Sequence, residues 1–414
     1  MKYTTMRLLL MLLLGHGLAN GRREVGTTDA EPQEPLREDS FVRMADVGMC
    51  DEQWSTWPAM QETAIENGTV MVWKMGQSIG NIMKTFTFVL PLVRLLEIGL
   101  IIDVERFPAF RTAFEPALVD WDVDPDLFTL NEEKTEQGLH ELKFASGSLI
   151  LSDIQVELFT QKMGVNLPRQ AVAKLDLFLQ RRGNWSSFFK TPGLSRAPMC
   201  AWNMVLRRSP TIMSIMEPHD PWRSNMDSST KAGSSRYIAW HIRTSDGDTE
   251  RSFKAAKHRY IFHNQPSSKV CPLYISTLDS SRDMHPALFA ENGDVVPIYV
   301  SSNSKSMARN CSEAVEGENH HVSAGLIDMG VADSDSHTAF SKNPDSVTNA
   351  FIDLLYLMDA SVIVCTSSSF AGAVTAIKGY VGKRLEVEES VLTSRHLYVF
   401  APAHDRQGVS ITQQ

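Results

Sequence analysis

The stretch YIAWHIRTSDGDTERSF, Tyr237–Phe253, decides how the fold of this chain is interpreted. Its first residues, Tyr237–Trp240, are apolar and predict a buried β-strand. A dense group of ionisable residues follows: His241, Arg243, Asp246, Asp248, Glu250 and Arg251. Charged side chains at the carboxyl end of a strand are typical of ligand sites in open α/β sheets. The plainer alternative is a strand followed by an ordinary charged surface loop.

Two members of this group suit particular chemistry. Arg243 suits phosphate, because its rigid planar fork can bond two oxygen atoms at once. Glu250 suits the removal of a proton from a substrate. The segment therefore predicts a phosphate-containing ligand and acid–base chemistry at the end of the strand.

A second segment, Asn349–Ala376, ends a strand in a similar way. An amphipathic helix is followed by the strand SVIVC and by a row of hydroxyl residues: Thr366, Ser367, Ser368 and Ser369. Hydroxyls and free N–H groups at a strand-to-helix turn form a cradle for phosphate. A simple Ser N-cap is the alternative, but a row of this length exceeds what a cap needs.

One carboxylate of this segment has mostly apolar neighbours in the sequence. Asp353 lies among Phe351, Leu354, Leu357 and Met358 and needs a partner if it is buried. A basic side chain or a backbone N–H would serve, and so would the adjacent N–H donors of a guanine ring. The sequence leaves these alternatives open.

The remaining pattern predicts an α/β protein of two halves. In the first half, strand Thr69–Trp73, helix Ile82–Glu97 with a kink at Pro91, and strand Leu100–Asp103 favour a parallel sheet, and Gly99 is expected to end the helix. Helices are also predicted at 153–163, 169–181, 304–316 and 346–358, and strands at 237–242, 273–276, 296–301 and 361–365. Trp54, Trp57 and Trp121 suit either a sugar-contacting wall or, more simply, the core.

Composition sets the domain boundaries and the compartment. Residues 1–19 predict a signal peptide, or a short uncleaved anchor, and residues 20–40 a flexible stem. The predicted halves are 41–222 and 237–400, joined by a linker at 223–236, with a tail at 401–414 and a lid at 320–343. The sequons at Asn67, Asn184 and Asn310 fit a lumenal protein.

Charge and cysteine content exclude other classes. A formal net charge of −9 over 414 residues gives no support for non-specific nucleic-acid binding. The five cysteines lack the C-x-x-C spacing of zinc sites, so a zinc site is not expected. Their odd number leaves the disulfide pairing undetermined.

Three segments of the second half resemble the donor-binding half of the GDP-fucose-dependent fucosyltransferases, in particular the α1,6-fucosyltransferase and O-fucosyltransferase branches. His241–Asp246 is similar to the H-x-R-x-x-D motif of that family, and Thr249–Phe253 to the T-E-x-x-F that follows it. Ile298–Ser302 resembles the next strand and loop. Asp353–Leu357 together with Val364–Ser369 resembles the last motif block. A degenerate form of the G-x-G-N-R turn of that family resembles the segment with Gly76, Gly80 and Asn81.

The resemblance implies a GT-B-like fold, with two Rossmann-like halves facing a cleft, and an inverting transfer that needs no metal or other cofactor. Arg243 would hold the β-phosphate of GDP-fucose, and Glu250 would be the general base. The remaining donor-binding residues would be His241, Asp246, Asp353, Thr366, Ser367, Ser368 and Ser369. The partners would be the nucleotide-sugar donor and a glycan or glycoprotein acceptor, with membrane contact only through an N-terminal anchor.

The chain departs from the family pattern at several positions. No Lys follows Asp246, and Asn303 and Ser304 stand where an acidic pair is expected. Ile82 replaces the Arg of the G-x-G-N-R turn. These departures leave two alternatives: a GT-B transferase for another nucleotide sugar, and a non-catalytic carbohydrate-binding relative.

Overall fold

Helices and strands alternate along most of the described chain. The computed structural model describes residue 50 and residues 52–76, 79–105, 107–127, 139–144, 147–152, 197–216, 237–243, 266–292, 296–302, 304–316, 322–324, 344–366, 368–386 and 396–402. The helices are α1 (Glu52–Ser55), α2 (Trp57–Glu66), α3 (Ile79–Leu96), α4 (Ala109–Ala113), α5 (Ala197–Val205), α6 (Pro210–Met216), α7 (Ser267–Ile275), α8 (Leu278–Met284), α9 (Pro286–Asn292), α10 (Lys305–Glu316), α11 (Pro344–Asp359) and α12 (Ser369–Lys378). The strands are β1 (Val70–Met75), β2 (Gly99–Asp103), β3 (Phe114–Pro116), β4 (Leu139–Phe144), β5 (Gly147–Ser152), β6 (Leu206–Arg208), β7 (Ile238–Ile242), β8 (Ile298–Ser302), β9 (Val322–Ala324), β10 (Val362–Cys365), β11 (Tyr380–Glu386) and β12 (His396–Pro402).

The predicted strand–helix–strand unit is confirmed in the first half. β1 and β2 pair in parallel, and α3 connects them with Pro91 inside the helix. The helix begins at Ile79, so Gly80 and Asn81 lie in its first turn rather than in the turn before it.

The prediction that Gly99 ends α3 is wrong. Glu97 takes the left-handed conformation that closes the helix, with φ of 58°, and the N–H of Ile98 donates to the Val93 carbonyl at 3.3 Å. Gly99 instead begins β2. A Cβ atom on Gly99 would lie 3.0 Å from Val70 Cγ1 and 3.2 Å from Ala64 Cβ. Close packing of α2 and β1 against β2 therefore explains the glycine.

The first sheet is mixed rather than wholly parallel. Its strand order is β2-β1-β5-β4, and β5 runs antiparallel to both β1 and β4. A separate two-stranded sheet pairs β3 with β6. The β4–β5 hairpin completes one edge of the first sheet, a feature that the sequence analysis did not predict.

The second sheet has the order β11-β12-β10-β7-β8-β9. β10, β7, β8 and β9 are parallel neighbours, whereas β12 runs antiparallel to β10 and β11. The predicted strands at 237–242, 296–301 and 361–365 are confirmed, as are the predicted helices at 304–316 and 346–358. The described part of the chain is thus a mixed α/β structure.

The strand predicted at Leu273–Ser276 is wrong, because most of it belongs to α7. Val270 and Tyr274, four positions apart, are both buried, which is the spacing of one helix face. Alternation over a run of four residues could not distinguish this helix from a strand.

Each face of the second sheet is covered by helices. Tyr237, Ala239 and Cys365 lie in the same core cluster as buried residues of α11 and α12. Trp240, Ile242 and Val364 lie in a second cluster, with buried residues of α7 and α10. Burial on both faces accounts for the continuous apolar runs of these strands.

The first of these core clusters also reaches the first half of the chain. Phe351 of α11 contacts Phe107, Phe110 and Phe114, with ring centroids 5.8, 6.0 and 5.5 Å apart. Trp57 and Trp121 are completely buried in the same cluster, and Trp54 is 6 % exposed. The core interpretation of these three tryptophans is therefore confirmed.

Two disulfides pair four of the five cysteines. Cys50 bonds to Cys200 of α5, and Cys271 of α7 bonds to Cys311 of α10, while Cys365 is a buried free thiol. Disulfides of this kind indicate an oxidising environment of the secretory type. Within the ranges given above, no helix is long and apolar enough to cross a bilayer.

Several predictions fall outside the described residues. They are the signal and stem at 1–40, the helices at 153–163 and 169–181, the linker at 223–236, residues 403–414 of the tail, and most of the lid at 320–343, of which β9 alone is described. The predicted start of the tail at 401 is wrong, because Ala401 and Pro402 pair with β11 as the end of β12. The described residues all lie in the unit Phe41–Gln414.

Candidate functional site

The order of the parallel strands creates a switch point in the second sheet. From β7 the chain continues to β8 on one side, and it later returns to place β10 on the other side of β7. The next helix after β7 that the structure describes, α7, packs on one face of the sheet, and the helix after β10, α12, packs on the opposite face. Strands whose following helices cover opposite faces form a switch point, and open α/β sheets bind ligands in the crevice at the carboxyl ends of such strands.

Two of the predicted phosphate-binding residues flank this crevice. His241 and Cys365 are register partners on β7 and β10. Arg243 follows His241 by two positions, and Ser368 follows Cys365 by three. Adjacent strands lie about 4.8 Å apart, so the loops that carry the two residues start side by side. Arg243 is partly exposed, and its positive charge acts on the His241 ring.

Ser368 begins the helix on the far side of the crevice. Its hydroxyl oxygen accepts a hydrogen bond from the Ala371 N–H at 3.1 Å, which makes Ser368 the N-cap of α12. The cap interpretation thus holds for this hydroxyl, which serves one of the four free N–H groups of the helix start. The positive end of the α12 dipole lies at Ser368, just after the carboxyl end of β10, where it suits an anion.

His241 is buried at the carboxyl end of β7. Only 6 % of it is exposed, and its ring stacks on Phe370 of α12 with centroids 5.2 Å apart. Among the described residues, neither ring nitrogen has a hydrogen-bond partner. Burial, with a smaller effect from the Arg243 charge, lowers the pKa of His241 to about 3. The ring is therefore neutral and offers one donor and one acceptor.

Asp353 of α11 lies over the face of the second sheet on which α11 and α12 pack. Its Oδ1 accepts a hydrogen bond from the Tyr299 hydroxyl at 2.6 Å, and its Oδ2 accepts one from the Ser301 hydroxyl at 3.0 Å. Although part of the residue stays at the surface, removal of its carboxylate from water raises the pKa of Asp353 to about 6, against the lowering effect of both hydrogen bonds. Its partners are thus hydroxyls, which the sequence analysis did not consider.

The remaining hydroxyl residue that can be placed lies on the other face. Thr366 follows Cys365, and its hydroxyl lies close to the phenol of Tyr274, although no well-formed hydrogen bond joins the two groups. Tyr274 itself donates to the His241 carbonyl at 2.8 Å and packs on Trp240. Strand alternation therefore separates Thr366 from the His241 ring.

Other predicted site residues cannot be placed in the crevice. Asp246, Glu250 and Ser367 lie outside the described residues, and of Ser369 only the backbone, at the start of α12, is described. In the part of the chain that the structure describes, no group of three or more His, Cys, Asp and Glu side chains could hold a metal ion.

Sequence reasoning missed Tyr299, Ser301 and Phe370 as members of the site. Tyr299 and Ser301 entered only as members of the strand Ile298–Ser302 in the family resemblance, and Phe370 was not singled out. The alternation of Tyr299 and Ser301 in IYVSS was a usable signal, because it places two hydroxyls on one face of a buried strand.

Comparison of the chain with models of known protein families finds no match, and comparison with curated proteins finds no relative of significant similarity.

Proposed function

We propose that this chain is an inverting glycosyltransferase that transfers fucose from GDP-fucose to a hydroxyl group of a glycan or protein. The observation that supports this most is the switch point between β7 and β10, with Arg243 on one side and the N-terminus of α12 on the other. A cation opposite a helix N-terminus suits a diphosphate. The resemblance of the motif segments to fucosyltransferases supports the identity of the donor.

The chemistry of fucosyl transfer explains why these groups belong together. Negative charge develops on the departing diphosphate as the sugar takes on oxocarbenium character. Preorganised cations and N–H dipoles stabilise such charge, and the loss of one such donor costs about 10²–10³ in rate. In this proposal Arg243 and the start of α12 carry that role, and Glu250 removes the proton from the acceptor hydroxyl.

The proposal extends to architecture and compartment. A GT-B arrangement would place the acceptor site in the first half of the chain, facing the crevice of the second sheet. The signal-like N-terminus and the two disulfides favour the lumen of the endoplasmic reticulum or Golgi.

Arg243→Ala provides the sharpest test of donor binding. We expect this variant to lose about tenfold in affinity for GDP, because it removes the cation that this proposal assigns to the diphosphate. Isothermal titration with GDP measures the effect. Arg384→Ala, which removes an exposed cation from the edge strand β11, is the matched control and should bind as the unchanged protein does. Equal affinity of Arg243→Ala and the control would overturn the proposal.

A panel of nucleotides separates the alternatives. A ligand that binds only the folded state raises the melting temperature. We expect stabilisation by GDP and not by UDP or CMP, and fucosyl transfer to an acceptor from a hydroxyl-bearing library. Preference for UDP or CMP would point to another donor sugar. GDP binding without hydrolysis or transfer would point to a non-catalytic relative.

A further inference from the structure

The carboxylate of Asp353 is engaged by hydroxyls from one strand. Tyr299 and Ser301 stand two positions apart on β8 and therefore point to the same face of the sheet. Each donates its proton to a different oxygen of Asp353, at 2.6 Å and 3.0 Å respectively. One acceptor site on each oxygen is thus used within the protein, so the carboxylate fixes the orientation of both hydroxyls.

Ser301 connects this carboxylate to the crevice. It is the register partner of His241, it is 1 % exposed, and both residues lie toward α11 and α12. Because the Ser301 proton is committed to Asp353, the hydroxyl oxygen keeps its remaining lone pairs for a donor that approaches from the crevice. Beside it lies the His241 ring, whose nitrogens have no partner among the described residues.

We propose that Asp353 is a positioning residue, which fixes the Ser301 hydroxyl as a hydrogen-bond acceptor beside His241 for the N–H edge of the donor nucleobase. This inference rests on the proposed function, because it assigns a role within the same nucleotide site. The ionised carboxylate accepts from Tyr299 and Ser301 together. Once protonated, it must donate its own hydrogen and accepts less well, so Ser301 is released to rotate and to donate toward the crevice.

Donor binding should therefore depend on the ionisation of Asp353. In the part of the chain that the structure describes, Tyr299 on β8 faces it directly, Tyr237 on β7 and Tyr356 on α11 interact with Tyr299, and His241 is the register partner of Ser301. Burial raises the pKa of Tyr299 well above its ordinary value and lowers that of His241 to about 3. These two groups keep one form near neutral pH, whereas the pKa of Asp353, at about 6, falls inside the testable range.

The experiment measures the affinity for GDP-fucose between about pH 5 and about pH 8 by isothermal titration. This probe is a diphosphate diester and has no phosphate group that titrates in that range. For the unchanged protein we expect affinity to fall about tenfold between pH 7 and pH 5, since one proton is taken up per site. Asp353→Asn should bind more weakly at about pH 8 and show a flat profile.

One further pair of variants and a matched control separate positioning from simple support. Ser301→Ala should lose affinity and lose the pH dependence, whereas Ser301→Thr, which keeps the hydroxyl, should restore both. Asp359→Asn is the matched control on the same helix, because Asp359 pairs with Arg208 at 2.6 Å instead. It should keep the profile of the unchanged protein.

The affinities of these variants decide whether Asp353 positions Ser301. A pH profile of Asp353→Asn that matches the unchanged protein would overturn the inference, and so would a Ser301→Ala variant that binds normally. The Ser301 pair keeps the test decisive if Asp353→Asn fails to fold. Absence of GDP-fucose binding by the unchanged protein would instead overturn the proposed function and this inference with it.

Discussion

His241 is a buried base that the fold keeps uncharged. The unfolded chain takes up a proton near the ordinary pKa of 6.5, but the folded protein does so only near 3. Unfolded molecules therefore bind more protons than folded ones between these values, so His241 makes stability fall as the pH drops through that window. The neutral ring keeps a donor and an acceptor available at the crevice at any physiological pH.

Asp353 acts in the opposite direction. Its pKa is raised from 3.8 to about 6 in the folded protein, so the folded state binds more protons between these values. Stability from this group is greatest below about 3.8 and declines as the pH rises toward 6. The two groups offset each other over much of the acidic range.

The variant His241→Gln separates the two contributions. Glutamine cannot be protonated, so the variant keeps the Asp353 effect and loses the acid penalty of histidine. We expect the melting temperature of the variant, relative to the unchanged protein, to shift in its favour as the pH falls from about 7 to about 4. Differential scanning calorimetry across this range measures the difference. A constant difference at every pH would show that His241 is not buried in its neutral form.

At the scale of elements, the absence of a side chain at Gly99 lets helix α2 pack closely against β2. The space at its Cα is filled by Val70 and Ala64. Extra atoms in such a site force packed neighbours to shift, which costs about 1–3 kcal/mol. The residue thus serves packing between elements rather than the end of α3.

Gly99→Ala is expected to lower the free energy of unfolding by about 1–3 kcal/mol. Gly372→Ala is the matched control, since a Cβ atom at that helical position would meet nothing within 4 Å. The control should be neutral or more stable by up to about 1 kcal/mol, because alanine favours helices. Chemical denaturation of both variants measures the contrast, and equal stabilities would contradict the packing argument.

Elements with strong periodicity were predictable from the sequence, and contacts between distant elements were not. β7, β10 and the β1-α3-β2 unit follow from apolar runs bounded by glycine or charge. α7 was mistaken for a strand because its apolar run is short. The partners of Asp353 were out of reach, because Tyr299 and Ser301 lie 54 and 52 positions away and only the folded register brings them to the carboxylate.

At the scale of the whole molecule, the first core cluster contains residues from both halves of the chain. α12 packs on α3, and Phe351 of α11 lies among aromatic rings of the first half. The ion pair between Arg208 and Asp359 adds a polar link between β6 and α11. Because these contacts are shared, we expect the described parts of both halves to unfold together.

Phe351→Ala tests this cooperativity. Removing a fully buried ring costs about 3–5 kcal/mol, because the surroundings collapse only partly into the cavity. Hydrogen exchange of peptides from α3 and from β8 should report the same loss of protection in both. Leu118→Ala, which truncates a side chain that is 53 % exposed, is the control and should change stability by less than about 0.5 kcal/mol. A loss confined to β8 would contradict a shared core.

The free thiol of Cys365 has a practical consequence. Every other cysteine is locked in a disulfide, so a thiol-specific reagent has one target in the intact chain. That sulfur is buried, and burial raises the pKa of the Cys365 thiol to about 12. The thiol therefore does not react while the carboxyl end of β10 stays packed. The rate at which Cys365 is labelled would therefore measure how often the β7–β10 boundary opens. A small molecule that lowers this rate would be identified as a ligand of that boundary, without any assay of turnover.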